Sequence, residues 1–447
     1  MSIEHIPNSD LTYCLVSFDA EGRERQDDPD GIMSERVLQK LRDEPITDVF
    51  LLSHGWKGDV AAARKQYSAW IAAAAGCAND LELMRQKRPG FAPLMVGLHW
   101  PSLPFGDEDL GAGSASFSAL ETSSAGAALS VDGLVDRYAD RIAETPVARA
   151  ALRIIFEAAL DDMDPPEMPA NVRAAYQALD READLGAQGA AGAPGADREP
   201  FDAEAAFQNA KGEAGSFGIG SSILSGLLSP LVQLSFWKMK ARACSIGEGG
   251  GFQFVSRMQQ QTQASGVRFH LMGHSFGCIV MSAAATGPVG ARLPRPIDSL
   301  LLVQGALSLW SYCQSIPSKP DQSGYFYRMV KEGRVAGPIV TTISEHDTAV
   351  GRLYPLAAGV AGQVAMAPGD LPKYGAVGAC GLRGAGFEAI DLDLPAADQA
   401  LALVPRKIYN LECSHVIRNG GGMAGAHNDI AHPELAHAFW TAAMATI

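Results

Sequence analysis

Residues 267–278 read VRFHLMGHSFGC, and Ser275 stands between Gly273 and Gly277 in a G-x-S-x-G spacing. Val267, Phe269, Leu271 and Met272 give the preceding run strand character. The small apolar residues after it, up to the stop signal Gly287-Pro288, predict a helix. A serine on so sharp a strand-to-helix turn needs small neighbours, because strand and helix pass closely there. The turn would present its hydroxyl at a helix N-terminus, whose N–H groups favour developing negative charge. A decoy at Ala214-Gly215-Ser216-Phe217-Gly218 has no strand before it and is read as loop.

A serine hydroxyl is a weak nucleophile at neutral pH. It needs a histidine base, an acid to orient that base, and donors for an oxyanion. In an open parallel sheet these groups belong at the carboxyl ends of strands. For the donors, Ser53-His54-Gly55-Trp56 follows the strand-like DVFLL, and the backbone N–H groups of Trp56 and Phe276 are the candidates. His54 itself reads as a turn histidine that holds this loop by hydrogen bonds. For the acid, IVTTISEHDTAVG offers Glu345 and Asp347 after a late strand. The order Ser, then Asp or Glu, then His favours Asp347; Asp298 opens a strand instead of closing one. The base must then come last, from His415, His427, His432 or His437. His427 ends the glycine-rich loop GGGMAGA, from which it can reach across the strand ends. His415 follows the last strand directly and is the rival. His432 and His437 read as helix-start and helix-face residues. No metal site is expected, since H-E-x-x-H is absent and the i,i+5 pair His427/His432 diverges on a helix.

The elements that would position these residues alternate. Apolar runs at 12–18, 47–56, 92–102, 267–273, 297–306, 337–344 and 406–413 read as strands, with helical stretches such as DVAAARKQYSAWIAAAAG between them. Strands apolar throughout and separated by helices predict an α/β fold with a buried, mostly parallel sheet. The alternation breaks over about 105–225, which is helical in places and Gly/Ala-rich at 185–200. That segment reads as an insertion between two strands of one sheet, with its Gly/Ala-rich part a mobile loop. A shorter Gly/Pro-rich insertion covers 352–404, and IGEGGG (246–251) reads as a flexible joint between helices.

Composition limits the function. The chain has 447 residues, 47% hydrophobic and 19% charged, as in a globular enzyme. A net charge of −14 with no basic block excludes a nucleic-acid partner. The N-terminus has neither a basic nor an apolar leader segment, and seven scattered cysteines without a C-x-x-C point to free thiols, so a cytoplasmic location is expected. The uncharged stretch from Ser216 to Trp237 is broken by serines, glycines and Pro230. It makes a poor membrane span and leaves peripheral lipid contact as the remaining membrane role.

Taken in order, GHSFG, SHGW after an early strand, Asp347 after a late strand and His427 before the last helix resemble the α/β-hydrolase superfamily, nearest to its serine esterases and lipases. The likeness covers 1–104 and 225–447, a catalytic core, and the segment 105–224 then resembles the helical cap or lid of that family. The resemblance implies an α/β-hydrolase fold, with a mostly parallel sheet flanked by helices. It implies a carboxylic-ester hydrolase in which Ser275, His427 and Asp347 carry out acyl transfer over an oxyanion hole made by Trp56 and Phe276. The substrate would be a small-molecule or lipid-like ester, with no metal and no cofactor. An amidase, thioesterase or acyltransferase on the same triad is the alternative, as is a non-catalytic binding protein that kept the fold. The gap from Asp347 to His427, with an insertion in it, is longer than the family's pattern.

Overall fold

A computed structural model of the chain describes residues 3–7, 9–56, 59–102, 130–185, 196–217, 226–359 and 371–447. Among these, nine strands form one sheet in the order β1-β2-β4-β3-β5-β6-β7-β9-β8. They are β1 (Ile3–His5), β2 (Thr12–Ser17), β3 (Asp48–Ser53), β4 (Pro93–His99), β5 (Arg268–His274), β6 (Ser299–Val303), β7 (Ile339–Ile343), β8 (Ala389–Asp393) and β9 (Ile408–Glu412). Only β1 runs antiparallel to its neighbour; every other pairing is parallel. Every residue of β3 and β5 is buried. That is why the middle of β3, Val49 to Leu52, is apolar throughout instead of alternating as a half-exposed sheet would.

The seven apolar runs correspond to β2–β7 and β9. Two strands escape that reading. β1 is only three residues long. β8, AIDLD, lies inside the segment read as a Gly/Pro-rich insertion, yet it pairs with β9 at the sheet edge. Its residues are only half-buried or exposed, so its acidic alternation carries no signal of a buried strand. The glycine run 247–251 also differs from expectation. It is a π-helical turn between the helices Ser229–Ile246 and Phe252–Gln261. A Cβ on Gly247 would stand 2.5 Å from the Val280 carbonyl oxygen, so this glycine serves close helix packing, not flexibility. The GSFG repeat is likewise not loop up to Phe217, where the helix Ala203–Phe217 ends; Gly218 lies outside the described residues.

Helices cover the sheet because each presents an apolar face. The helix Val60–Gly76 starts at Asp59, whose carboxylate accepts from Ala62 N at 2.6 Å. The last helix, Pro433–Met444, packs beside it: Trp440 Nε1 donates to the Ala74 carbonyl at 2.9 Å, and Phe50 of β3 lies against Phe439 and Trp440.

The chain divides into two compact units. One comprises 1–103, 242–351 and 375–447; the other comprises 104–241 and 352–374. The first holds the sheet. Residues 225–241 and 352–374, which the sequence reading keeps with the core, cluster with the second unit. The second unit contains the helices Val131–Ile142, Pro146–Asp161, Ala170–Ala183 and Ala203–Phe217. Ser130 and Thr145 cap the first two by accepting from Gly133 N and Ala148 N. Inside this unit the fully buried Lys240 ammonium pairs with the Asp197 carboxylate and the Tyr354 hydroxyl. Most of the Gly/Ala-rich 185–200 lies outside the described residues.

Candidate active site

Ser275 follows β5 and precedes the helix Gly277–Thr286. Its φ is +56°, a left-handed conformation that a serine adopts at a cost of about 1–2 kcal/mol. Three backbone bonds hold it there: Ser275 N donates to Val303 O at 3.1 Å, and Ser275 O accepts from Cys278 N and Ala306 N, both at 3.2 Å. The flanking glycines are sterically required. A Cβ on Gly273 would lie 2.3 Å from Gly277 O, and one on Gly277 would lie 2.4 Å from Ser53 O. The strand and helix thus cross so closely that neither position has room for a side chain.

The Ser53–Trp56 loop packs on this turn. A Cβ on Gly55 would lie 2.5 Å from the Ser275 Cβ. His54 holds the loop from within. It is buried; Nδ1 faces Gly55 O at 2.8 Å, and Nε2 accepts from Trp100 N at 3.2 Å and faces His99 Nδ1 at 3.1 Å. Tyr67 Oη accepts from His54 N at 2.8 Å, and Ser102 Oγ donates to Gly55 O at 2.9 Å. Burial, and then the neighbouring His99, push the His54 pKa down to about 3. Burial, and then Arg25, push His99 down to about 4. Both rings are therefore neutral braces at pH 7. Trp56 and Phe276, the two candidate oxyanion donors, adjoin: their rings lie 5.8 Å apart, and Phe276 is the first residue of the turn into the helix.

Asp347 and His427 meet. His427 Nδ1 lies 2.6 Å from Asp347 Oδ2. Asp347 is fully buried and His427 nearly so. Asp347 sits in the turn after β7, where its Oδ1 accepts from Val350 N at 3.1 Å. The loop that carries His427 is tied to the same turn by Ala426 N donating to His346 O at 2.9 Å. The other candidates stand elsewhere. Glu345 and His415 are exposed. His432 pairs with Asp429 at 2.8 Å, and His437 pairs with Asp80 at 2.9 Å. Asp298 accepts from Phe269 N at 2.7 Å and Arg295 at 2.8 Å. Ser275 Oγ itself makes no hydrogen bond among the described residues; such bonds tighten when substrate binds.

Three contributors escaped the sequence reading. With its amide nitrogen facing the acid, Gln304 donates to Asp347 Oδ2 at 2.8 Å and to Gly378 O at 3.0 Å, and accepts from Thr342 Oγ1 at 3.1 Å. Gln304 has a φ of +45°, again in the left-handed region. It stands directly after the apolar β6, so a polar residue closing an apolar run was the available signal. His274 lies inside the quoted motif, and its partner Gln66 lies on the helix Val60–Gly76; nothing local marks either.

Among the described residues no cluster of three or more His, Cys, Asp or Glu could hold a metal ion, and no helix is long and apolar enough to cross a membrane. All seven cysteines are free thiols. No family model, curated protein or solved structure matches the chain.

Proposed function

We propose that the chain is a serine hydrolase that cleaves carboxylic esters through an acyl-enzyme. The observation that carries this reading is the buried Asp347–His427 pair at 2.6 Å, which follows the carboxyl ends of β7 and β9 as the strained Ser275 follows that of β5 in the same parallel sheet. If His427 Nδ1–H donates to the carboxylate, a neutral ring leaves Nε2 with its lone pair. That nitrogen takes the Ser275 proton as Oγ attacks the ester carbonyl. Asp347 stabilises the imidazolium that forms and is itself held by Gln304. The amides of Phe276 and Trp56 receive the oxyanion. Imidazolium returns the proton to the leaving alkoxide, alcohol departs, and water activated by His427 releases the acid. Each proton moves between side chains, substrate and water, so no cofactor is invoked. The free thiols support a reducing, cytoplasmic setting.

A fluorophosphonate probe tests the reading. The expected result is a stoichiometric adduct on Ser275, with p-nitrophenyl ester turnover reduced at least ~10³-fold in a folded Ser275→Ala variant. No adduct and undiminished turnover refute it and favour a non-catalytic binding protein.

We also propose that the insertion between β4 and β5 caps the acyl pocket, on the support of its place in the chain, immediately before the strand that carries Ser275. Hydrogen exchange after trapping Ser275 with short- and long-chain phosphonates checks this. Protection of the helices Val131–Ile142 and Ala203–Phe217 should grow with chain length; identical exchange in both adducts overturns the cap.

A further inference from the structure

His274 stands between Gly273 and Ser275, yet the mechanism above gives it no part. It closes β5 and is fully buried. Its Nε2 lies 2.9 Å from the carbonyl oxygen of His427. A carbonyl only accepts, so Nε2 must carry the proton. Nδ1 is then bare, and it accepts from Gln66 Nε2 at 2.9 Å. Both ring nitrogens are satisfied in one tautomer alone. Burial holds the His274 pKa well below the ordinary histidine value, which keeps that neutral tautomer in place. The ring also packs against the His427 ring at 4.7 Å and edge-on to Trp70 at 6.1 Å.

The consequence is geometric. Asp347 fixes the ring of His427, and His274 fixes its backbone. Because His274 precedes Ser275 by one peptide bond, this hydrogen bond links the segment carrying the base to the chain carrying the serine. We propose that His274, its tautomer set by Gln66, is a positioning residue that holds His427 in register with Ser275. This rests on the hydrolase reading of the site. An error of about 1 Å in such a placement costs on the order of 10²-fold in rate.

The test uses three variants of the full chain. His274→Phe keeps a ring but has no N–H; His274→Gln can place an amide N–H where Nε2 was; Gln66→Leu frees the tautomer without touching the core. In His274→Phe, kcat for a p-nitrophenyl ester should fall about 10- to 100-fold with KM nearly unchanged. His274→Gln should recover most of that loss, and Gln66→Leu should show a smaller one. A second readout is the low-field proton resonance of His427 Nδ1–H bonded to Asp347. It should broaden or shift in His274→Phe and return in His274→Gln. Wild-type kcat or an unchanged resonance in folded His274→Phe overturns the proposal, as does a His274→Gln variant no better than His274→Phe. If His274→Phe does not fold, wild-type kcat and resonance in Gln66→Leu overturn it. Should Ser275→Ala retain full ester turnover in the same assay, the hydrolase reading fails, while the resonance still decides whether His274 positions His427.

Discussion

Replacing Gly55 by alanine adds one methyl group directly against Ser275. The new Cβ would lie 2.5 Å from the Ser275 Cβ, and 3.1 Å from both His274 Nδ1 and His274 O. Carbon–carbon contacts settle near ~3.5–4.0 Å, so about 1 Å of displacement is needed. The loop cannot supply it freely, because His54, Trp100, Tyr67 and Ser102 brace it from behind. Ser275 is held in turn by Val303, Cys278 and Ala306. The displacement must therefore be shared by the serine turn and the Trp56 amide. A shift of that size corresponds to a loss of about 10²-fold in kcat/KM, or ~2.7 kcal/mol of transition-state stabilisation. Overpacking should also destabilise the fold by about 1–3 kcal/mol. Ester turnover, fluorophosphonate labelling rate and urea unfolding measure the two effects separately. Gly76→Ala is the matched control, since nothing lies within 4 Å of a Cβ there. A Gly55→Ala protein with wild-type kcat/KM and an unchanged urea midpoint would refute the claim that this glycine seats the serine.

His427→Ala should abolish ester turnover, and His415→Ala should leave it within about twofold, because His415 is exposed and it is His427 that pairs with Asp347; the reverse pattern in a kcat comparison would identify His415 as the base. Asp347→Asn should lower kcat by roughly 10³- to 10⁴-fold through loss of the correct tautomer, a fall that single-turnover kinetics can separate from substrate binding. Lys240→Met leaves the Asp197 carboxylate buried without its cation, so urea unfolding should report a loss of about 3–5 kcal/mol. His54 and His99 have folded pKa values of about 3 and about 4, below the unfolded ~6.5. The unfolded chain therefore binds more protons below pH 6.5, and stability falls as the pH drops toward 4, by about 2 kcal/mol per histidine at pH 5; equal unfolding free energies at pH 7 and pH 5 would contradict this.

What the sequence revealed follows from what each feature depends on. β3 and β5 are buried on both faces, and burial of that kind writes itself into local composition. β8 is an edge strand with Asp391 and Asp393 turned partly to solvent, and nothing in AIDLD separates it from loop. The serine was legible because its strained turn demands glycines at fixed spacing. Gln304, His274 and Gln66 were not, since their roles depend on partners distant in sequence: Gln66 meets His274 across 208 residues, and His274 meets His427 across 153. The glycines at 247–251 were misread because glycine marks either freedom or close approach, and local sequence cannot tell the two apart.

A second Ser-His-Asp line in the same sheet shows why residue types alone do not define the site. His270 Nδ1 faces Ser299 Oγ at 2.8 Å, and His270 Nε2 faces Asp48 Oδ1 at 3.2 Å. The donor order, hydroxyl to imidazole to carboxylate, is the one that catalysis uses. Three differences remove the chemistry. Ser299 is an ordinary residue of β6, paired in register with His270 of β5, so its hydroxyl lies inside the sheet and not on a turn. The Asp48 carboxylate is shared with Arg268 at 2.6 Å and Arg88 at 3.1 Å, so its charge is already matched and adds little to an imidazolium. His270 is stacked on Phe50 at 4.7 Å and fully buried, and burial keeps it neutral. The line also begins where β3 and β6 begin, whereas Ser275, Asp347 and His427 follow the carboxyl ends of β5, β7 and β9. Substrates of open parallel sheets meet those carboxyl ends, where loops diverge and leave room. The same three residue types at opposite ends of one sheet thus serve different purposes. At one end they share buried charge between strands; at the other, a strained serine and an acid–imidazole pair follow the carboxyl ends of their strands.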